Sequence, residues 1–230
     1  MSELKNVSGA EGSAKGQFTP IQVEQLMITD DGRLMKKSQL EAAKKFIKDN
    51  PGIKMEDIMN VIRLGINPKT GMVTVINWED LSQDRKDLIK DISAFKAFTD
   101  LRTAVVWGIK DADMSPLSKG LIELSITNIQ MTEKQWAVVG RFIKLKRFYA
   151  NGVGMSHIRP TSNMRDLEIV YVQKNPGLTS LLPLENCHVM EHVSVEKSGI
   201  TQAEKERYQA AVDKQIQAGI TKHRPAIKLY

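Results

Sequence analysis

Apolar residues recur every three or four positions along most of this 230-residue chain, and this spacing restricts its fold more than any other feature. One such stripe comprises Leu40, Ala43, Phe46 and Ile47. Side chains spaced in this way lie on one face of an α-helix, where they pack against a core. The stripes are separated by helix-ending sequences such as Asn50-Pro51-Gly52. We therefore expect a mainly α fold.

The same criteria predict a short helix after Thr19-Pro20 and further helices over residues 55–64, 79–110, 115–126, 132–151 and 201–219. Capping boxes at Thr132 and Thr201 mark the start of the last two. The β-branched residues of 72–76 predict a small hairpin strand, and residues 167–172 also have the composition of a strand. No internal repeat with a fixed period is recognised in the sequence.

These elements predict a single helical core domain with flexible N- and C-terminal arms and a minor β-hairpin. The predicted boundaries are a flexible arm over residues 1–18, a helical core over 19–195, and a C-terminal helix and tail over 196–230. The single cysteine, Cys187, cannot form an internal disulfide, and neither a secretory signal nor a membrane-spanning apolar run is present. We therefore expect a cytosolic protein that has no membrane partner.

Positive charge is concentrated in one part of the chain. The formal net charge is +6, and residues 134–165 contain no Asp or Glu. Such a segment is typical of proteins that bind a phosphate backbone, although a solvated helix face is the alternative interpretation. The residues predicted to line a groove for single-stranded RNA are Arg141, Lys144, Arg147, Arg159 and Arg165.

Two other functions are compatible with the sequence. His188, Glu191 and His192 match the H-x-x-E-H pattern of zinc hydrolases, a pattern that requires both imidazoles on one helical face. The polar helix 201–219 would instead allow a scaffold that binds protein partners. Because phosphate-binding glycine loops, nucleophile elbows and dinucleotide fingerprints are absent from the sequence, we expect a protein that is not an enzyme and needs neither a cofactor nor a metal.

Several short segments resemble the coat proteins of flexible filamentous plant RNA viruses, the potexvirus-like group. They are Leu117-Ser118-Lys119, Ile129-Gln130-Met131-Thr132-Glu133-Lys134-Gln135-Trp136, Asn175-Pro176 and Glu204-Lys205-Glu206-Arg207. The resemblance implies a helical core whose arms link neighbouring subunits along a helical ribonucleoprotein. It also implies binding of single-stranded RNA without sequence specificity, self-association into a filament, and a location in the virion and the host cytoplasm. Viral nucleocapsid proteins share this plan of arm, core and arm.

Overall fold

The computed structural model of the chain describes residues 26–28, 32, 34–62, 65–110 and 113–229. The predicted N-terminal arm lies outside these ranges, as does the first part of the helix predicted after Thr19-Pro20. Leu26 and Met27, which that helix was expected to include, lie in the β-strand Leu26–Ile28. None of the helices in the described ranges is long and apolar enough to cross a lipid bilayer.

A parallel sheet dominates the fold. A short antiparallel hairpin, β1 (Leu26–Ile28) with β2 (Leu34–Lys36), precedes it. The sheet has seven strands that neighbour one another in chain order: β3 (Val75–Asn77), β4 (Thr103–Trp107), β5 (Glu123–Thr127), β6 (Arg147–Asn151), β7 (Ile169–Tyr171), β8 (His192–Ser194) and β9 (Ala226–Lys228).

Helices lie between the strands and before the sheet. The described α-helices are α1 (Lys37–Asp49), α2 (Met55–Ile62), α3 (Gln83–Lys86), α4 (Glu133–Val139) and α5 (Gln202–Gln217). Short 3₁₀ helices occupy Ser93–Ala97, Arg159–Asn163 and Leu182–Asn186. Because each strand joins the sheet beside the preceding one, the chain forms a solenoid of successive coils.

The prediction of a mainly α fold is therefore wrong, and the coil from Leu121 to Ile126 shows why. Leu121 and Leu124 are three residues apart, as on a helix, but Leu121 ends a turn and Leu124 lies on β5. The next buried side chain is Ile126, two residues later, as expected for a strand. A turn followed by a strand thus produced the helical spacing within residues 115–126. The same arrangement, with Leu101 in a turn and Ala104 on β4, occurs within the helix predicted over 79–110.

The sequence also contains the repeat that was not recognised. In the sheet, Thr103, Glu123, Arg147, Ile169 and His192 are aligned, and they lie 20, 24, 22 and 23 residues apart. Around each of them, the residues two before, one after and three after are buried, as Leu145, Phe148 and Ala150 are around Arg147. This spacing resembles that of leucine-rich repeats, in which each unit adds one strand to a solenoid.

One buried polar side chain joins neighbouring coils. Asn175 is fully buried, and its Oδ1 accepts hydrogen bonds from the backbone N–H groups of Val153 and Met155, both at 3.1 Å. Its Nδ2 donates to the carbonyl oxygens of Ala150 and Val172, at 2.7 and 3.0 Å. The backbone bends after β6 and β7 at this point, so some backbone groups lose their partners in the sheet. The side-chain amide of Asn175 supplies hydrogen bonds to these groups.

The beginning of the sheet is covered by α1 and α2, which confirm the helices predicted there. Gln39 on α1 is buried, donates to the carbonyl oxygen of Ala97 at 2.7 Å, and accepts from the N–H of Val73 at 3.0 Å. Phe46 stacks on Phe95, with ring centroids 4.8 Å apart. These contacts close the core at the first coil.

The predicted helix over 132–151 is confirmed only in its first turns. Thr132 and Gln135 form the capping box, and α4 then ends at Val139, with Gly140 as its C-cap. The chain turns and continues as β6. Phe148 enters the core and Tyr149 lies on the other face of the sheet, so Arg141, Lys144 and Arg147 do not lie on one long helix.

At the other end, α5 confirms the helix predicted from Thr201, whose side chain accepts from the N–H of Glu204. Tyr208 and Val212 are its buried residues. The predicted flexible C-terminal arm is wrong for the residues after it, because Ala226–Lys228 forms β9 and pairs with β8. The described C-terminal segment is therefore part of the sheet.

Candidate binding surface on the sheet

One face of the sheet packs on the core, and the other carries side chains that alternate with the core positions. We call the second one the open face. From β4 to β9, its first row consists of Thr103, Glu123, Arg147, Ile169, His192 and Ala226. Over the same strands, its second row consists of Val105, Ser125, Tyr149, Tyr171, Ser194 and Lys228.

Two tyrosines occupy the centre of the open face. Tyr149 and Tyr171 are register partners on β6 and β7, and their rings meet edge to face with centroids 5.3 Å apart. Both side chains are half-buried. Burial raises the pKa of the Tyr149 hydroxyl, and nearby Glu123 raises it further. The pair therefore offers aromatic surface together with two hydroxyl groups.

Cross-strand ion pairs lie on both sides of these tyrosines. The Nε of Arg147 donates to Oε2 of Glu123 at 2.8 Å, and this hydrogen bond raises the pKa of the guanidinium. On the other side, the Nζ of Lys228 lies 2.5 Å from Oε1 of Glu196. Each pair contains one positive and one negative group, so the charges of the face cancel locally.

A groove opens between β7, β8 and β9. It has a volume of about 340 Å³ and is lined by residues that include Tyr171, Gln173, His192 and Lys228. The amide of Gln173 donates to Oγ of Ser194 at 2.8 Å, and Ser194 is only 4% exposed. This hydrogen bond fixes the floor of the groove, while His192 stays exposed at its edge.

At the opposite end of the face, Trp107 lies beside a buried lysine. The Nζ of Lys86 is 5.6 Å from the centre of the Trp107 ring and donates to the carbonyl oxygen of Glu79 at 3.1 Å. Burial lowers the pKa of Lys86. The contact with a cation holds the ring in place.

The five residues predicted to line an RNA groove are not brought to one surface. Arg147 is on the open face and is paired with Glu123. The other four are exposed outside it: Arg141 follows α4, Lys144 and Arg165 lie in the turns before β6 and β7, and Arg159 begins a 3₁₀ helix. Only Lys144 and Arg165 occupy corresponding turns of neighbouring coils.

Residues 134–165 contain no Asp or Glu, but carboxylates from neighbouring coils lie close to the basic side chains of this part of the chain. Lys146 pairs with Glu168 at 2.6 Å, one coil later, and Arg147 pairs with Glu123, one coil earlier. Asp113, whose pKa is lowered mainly by hydrogen bonds from Ser115, also experiences the charges of Lys134 and Arg141. In a solenoid, residues about one repeat apart in the sequence become neighbours in space. Basic residues that are consecutive in the sequence therefore lie beside acids of other coils and do not form a basic surface patch. RNA binding by these residues stays a prediction.

The H-x-x-E-H pattern does not adopt the helical arrangement that zinc hydrolases use. His188 lies in the turn before β8, with its Nδ1 3.4 Å from the Thr221 hydroxyl. Glu191 precedes the strand and His192 is on the open face. Within the described ranges, no group of three or more His, Cys, Asp or Glu side chains is arranged to hold a metal ion.

Trp107 and Tyr171 were not predicted to be surface residues, since aromatic residues are more often buried. The available signal was the repeat. Once Leu145 and Leu167 are aligned, Tyr149 and Tyr171 occupy equivalent positions between two buried residues.

No family model matches the chain, and no curated protein matches it. Among solved structures, internalin C2 from Listeria monocytogenes is 13% identical, with a TM-score of 0.39 over 68% of this chain and 79% of that one. An internalin (inlF) from the same organism is 16% identical, with a TM-score of 0.36 over 68% of this chain and 45% of that one. The strand order and register, not these likenesses, define the fold described above.

Proposed function

We propose that this chain is a binding module whose open face holds a polypeptide segment of a partner protein. The observation that carries the proposal is the pair Tyr149 and Tyr171, set between the ion pairs Arg147–Glu123 and Lys228–Glu196. Parallel solenoids provide extended surfaces that suit this role, because successive coils add side chains along one direction.

The chemistry of the face favours a polypeptide over a polyanion. A phosphate backbone is bound through cations that are available to neutralise it, whereas Arg147 and Lys228 already have carboxylate partners. Tyrosine and arginine are enriched among the residues that contribute most to protein interfaces. The Tyr149 ring supplies apolar contact, and the amide of Gln173 and the imidazole of His192 supply hydrogen-bonding groups near the groove.

The size of the groove supports the same partner. A volume of about 340 Å³ admits one large side chain of a bound segment. The two rows of the open face run across the strands from β4 to β9, so a segment lying along them contacts several coils at once. Affinity would then come from a central anchor on the tyrosines and weaker contacts on both sides.

The proposal is tested by selecting binders from a phage-displayed library of random peptides on the purified chain. Affinities of the selected peptides are then measured by fluorescence polarisation for the variant Tyr149→Ser/Tyr171→Ser. We expect a loss of about thirtyfold or more, since removing a central aromatic anchor costs about 2 kcal/mol or more.

The matched control is Arg141→Ser/Arg159→Ser, which changes two exposed residues outside the open face. It should leave peptide affinity within about twofold, because surface changes away from an interface alter free energies by less than about 0.5 kcal/mol. Failure to select any specific peptide, or equal losses in both variants, would contradict the proposal. Poly(U) RNA is measured in parallel, and tight binding that the control variant abolishes would instead support the prediction of an RNA coat.

A further inference from the structure

A second surface is formed by the turns that lead into the strands. The N–H groups of Leu121, Leu145, Leu167 and Met190 each donate to the carbonyl oxygen three residues earlier, at 3.1 to 3.3 Å. The two central residues of each turn are Lys119-Gly120, Ile143-Lys144, Arg165-Asp166 and His188-Val189. We call this line of turns the turn ridge. Since adjacent strands are about 4.8 Å apart, its turns form a close row along one edge of the sheet.

Large apolar side chains are exposed on this ridge. Ile143 is 54% exposed and Val189 is 44% exposed. Ile220, also 54% exposed, adjoins the ridge, because its neighbour Thr221 contacts His188. Among the described residues, the most exposed large hydrophobic side chains are these three and Leu88. Only Leu88 lies in another part of the chain. Exposed apolar side chains that lie along one edge of the sheet indicate an interaction surface more strongly than exposed residues scattered over the whole surface do.

Cations accompany these apolar side chains. Lys119, Lys144 and Arg165 are exposed on three successive turns. Within the described ranges, none of the three has a carboxylate oxygen within the 4.0 Å of an ion pair, whereas the neighbouring Lys146 is neutralised by Glu168. Asp166 lies on the ridge and Glu191 beside it, and they offset part of the charge. The ridge thus carries an exposed apolar side chain on two of its four turns, Ile143 and Val189, with positive charge in excess between β5 and β7.

We propose that the turn ridge docks on the surface of an anionic lipid bilayer. Exposed aliphatic tips enter the boundary between headgroups and acyl chains, while lysine and arginine attract the negative headgroups. A nucleic-acid backbone would complement the cations but would leave Ile143 and Val189 in water. This surface could not be inferred from the sequence, because Ile143 and Val189 are two coils apart and lie on one edge of the sheet only through the stacking of the turns.

The test is cosedimentation of the full chain with vesicles of phosphatidylcholine, alone or with roughly one-third phosphatidylserine. We expect binding to the anionic vesicles only, weakened by added salt. The variant Lys144→Gln/Arg165→Gln should lose about thirtyfold in affinity, since each basic residue near such a surface contributes about 1 kcal/mol. The variant Ile143→Ser/Val189→Ser should also lose affinity while leaving the salt dependence unchanged.

The matched control is Lys37→Gln/Lys48→Gln, which removes two exposed lysines of α1, away from the ridge. Its affinity should remain within about twofold of the wild type. Circular dichroism establishes that each variant is folded.

Absence of binding to anionic vesicles would overturn the proposal, as would equal losses in the ridge and control variants. Binding to poly(U) RNA without binding to vesicles would overturn it in favour of a nucleic acid. The open-face tyrosines lie outside the ridge, so peptide binding and vesicle binding fail independently.

Discussion

The two faces of the sheet differ in how similar their residues are from one coil to the next. On the core face, each coil places apolar residues at the same positions, as Leu124, Phe148 and Val170 show in three neighbouring strands. On the open face, the adjoining row contains Glu123, Arg147 and Ile169, which share neither size nor charge.

This difference separates the requirements of folding from those of function. Stacked coils bury a continuous core only if each contributes a side chain of suitable volume at the same place. Core packing does not restrict the side chains on the open face. The size and charge of these side chains can therefore match a partner. The comparison predicts that substitutions of adjacent residues on one strand have effects of different kinds.

Adjacent residues of β6 provide the strongest test of this difference. Phe148 is fully buried, so Phe148→Ala should lower the free energy of unfolding by about 3–5 kcal/mol. Tyr149→Ala removes a ring that is only half-buried, together with its edge-to-face contact with Tyr171, and should cost less, about 1–2 kcal/mol. Urea denaturation measures both. Losses of equal size would show that the open face contributes to stability as the core does.

The reactivity of cysteine thiols provides a second way to distinguish a buried position from a position on the open face. Cys187 is buried, and burial raises the pKa of its thiol to about 12 from 9.0. At pH 8 its thiolate fraction should therefore be about a thousandfold below that of an ordinary thiol, and Ellman's reagent should react with it only after unfolding. A cysteine introduced on the open face by Ser125→Cys should react in the folded protein. Rapid modification of Cys187 in the wild type would contradict the burial.

The pH dependence of stability has a definite sign at this thiol. Its pKa is higher in the folded chain than in the unfolded one, so burial of the neutral form stabilises fully below the unfolded value. That contribution is lost as the pH rises through the range up to the folded value. The variant Cys187→Ala should show a smaller decline of stability at alkaline pH than the wild type.

Asn175 tests whether the coils are joined by a polar contact as well as by apolar packing. Asn175→Ala leaves the N–H groups of Val153 and Met155 without their partner, and should cost about 3 kcal/mol. The exposed Asn186 provides the control, and Asn186→Ala should change stability by less than about 0.5 kcal/mol. Equal, small effects in denaturation experiments would indicate that the bend after β6 does not need the amide.

The smallest effect is expected from the ion pair on the open face. The side chain of Arg147 is 42% exposed, so solvent screens its attraction to Glu123. A double-mutant cycle of Arg147→Gln and Glu123→Gln should give a coupling free energy of about 0.5 kcal/mol. A coupling of several kcal/mol would mean that the pair contributes substantially to holding the fold together.

Part of the fold was predictable from the sequence. The helices α1, α2 and α5 and the strand β7 were identified because their periodicity and caps are local signals. Strands β4 and β5 were predicted as helices, since a turn residue and a strand residue three positions apart imitate helical spacing. Only alignment of one coil with the next distinguishes the two, and the coils differ in length from 20 to 24 residues.

The candidate surface was harder to predict than the fold. The sequence indicated Arg141 to Arg165 because they lie near one another in the chain, but Tyr149 and Tyr171 meet across strands 22 residues apart. Register decides which side chains become neighbours, and register follows from the stacking of coils. A local charge count therefore could not anticipate that Glu123 neutralises Arg147.

Photo-cross-linking of a selected peptide is the most direct test of the central claim that the open face is the binding surface. A peptide carrying a benzoylphenylalanine is irradiated with the folded chain, and the modified residues are identified by mass spectrometry. We predict adducts on the two rows of the open face, centred on Tyr149, Tyr171 and His192. Adducts confined to α4 or to the turn ridge would contradict the account.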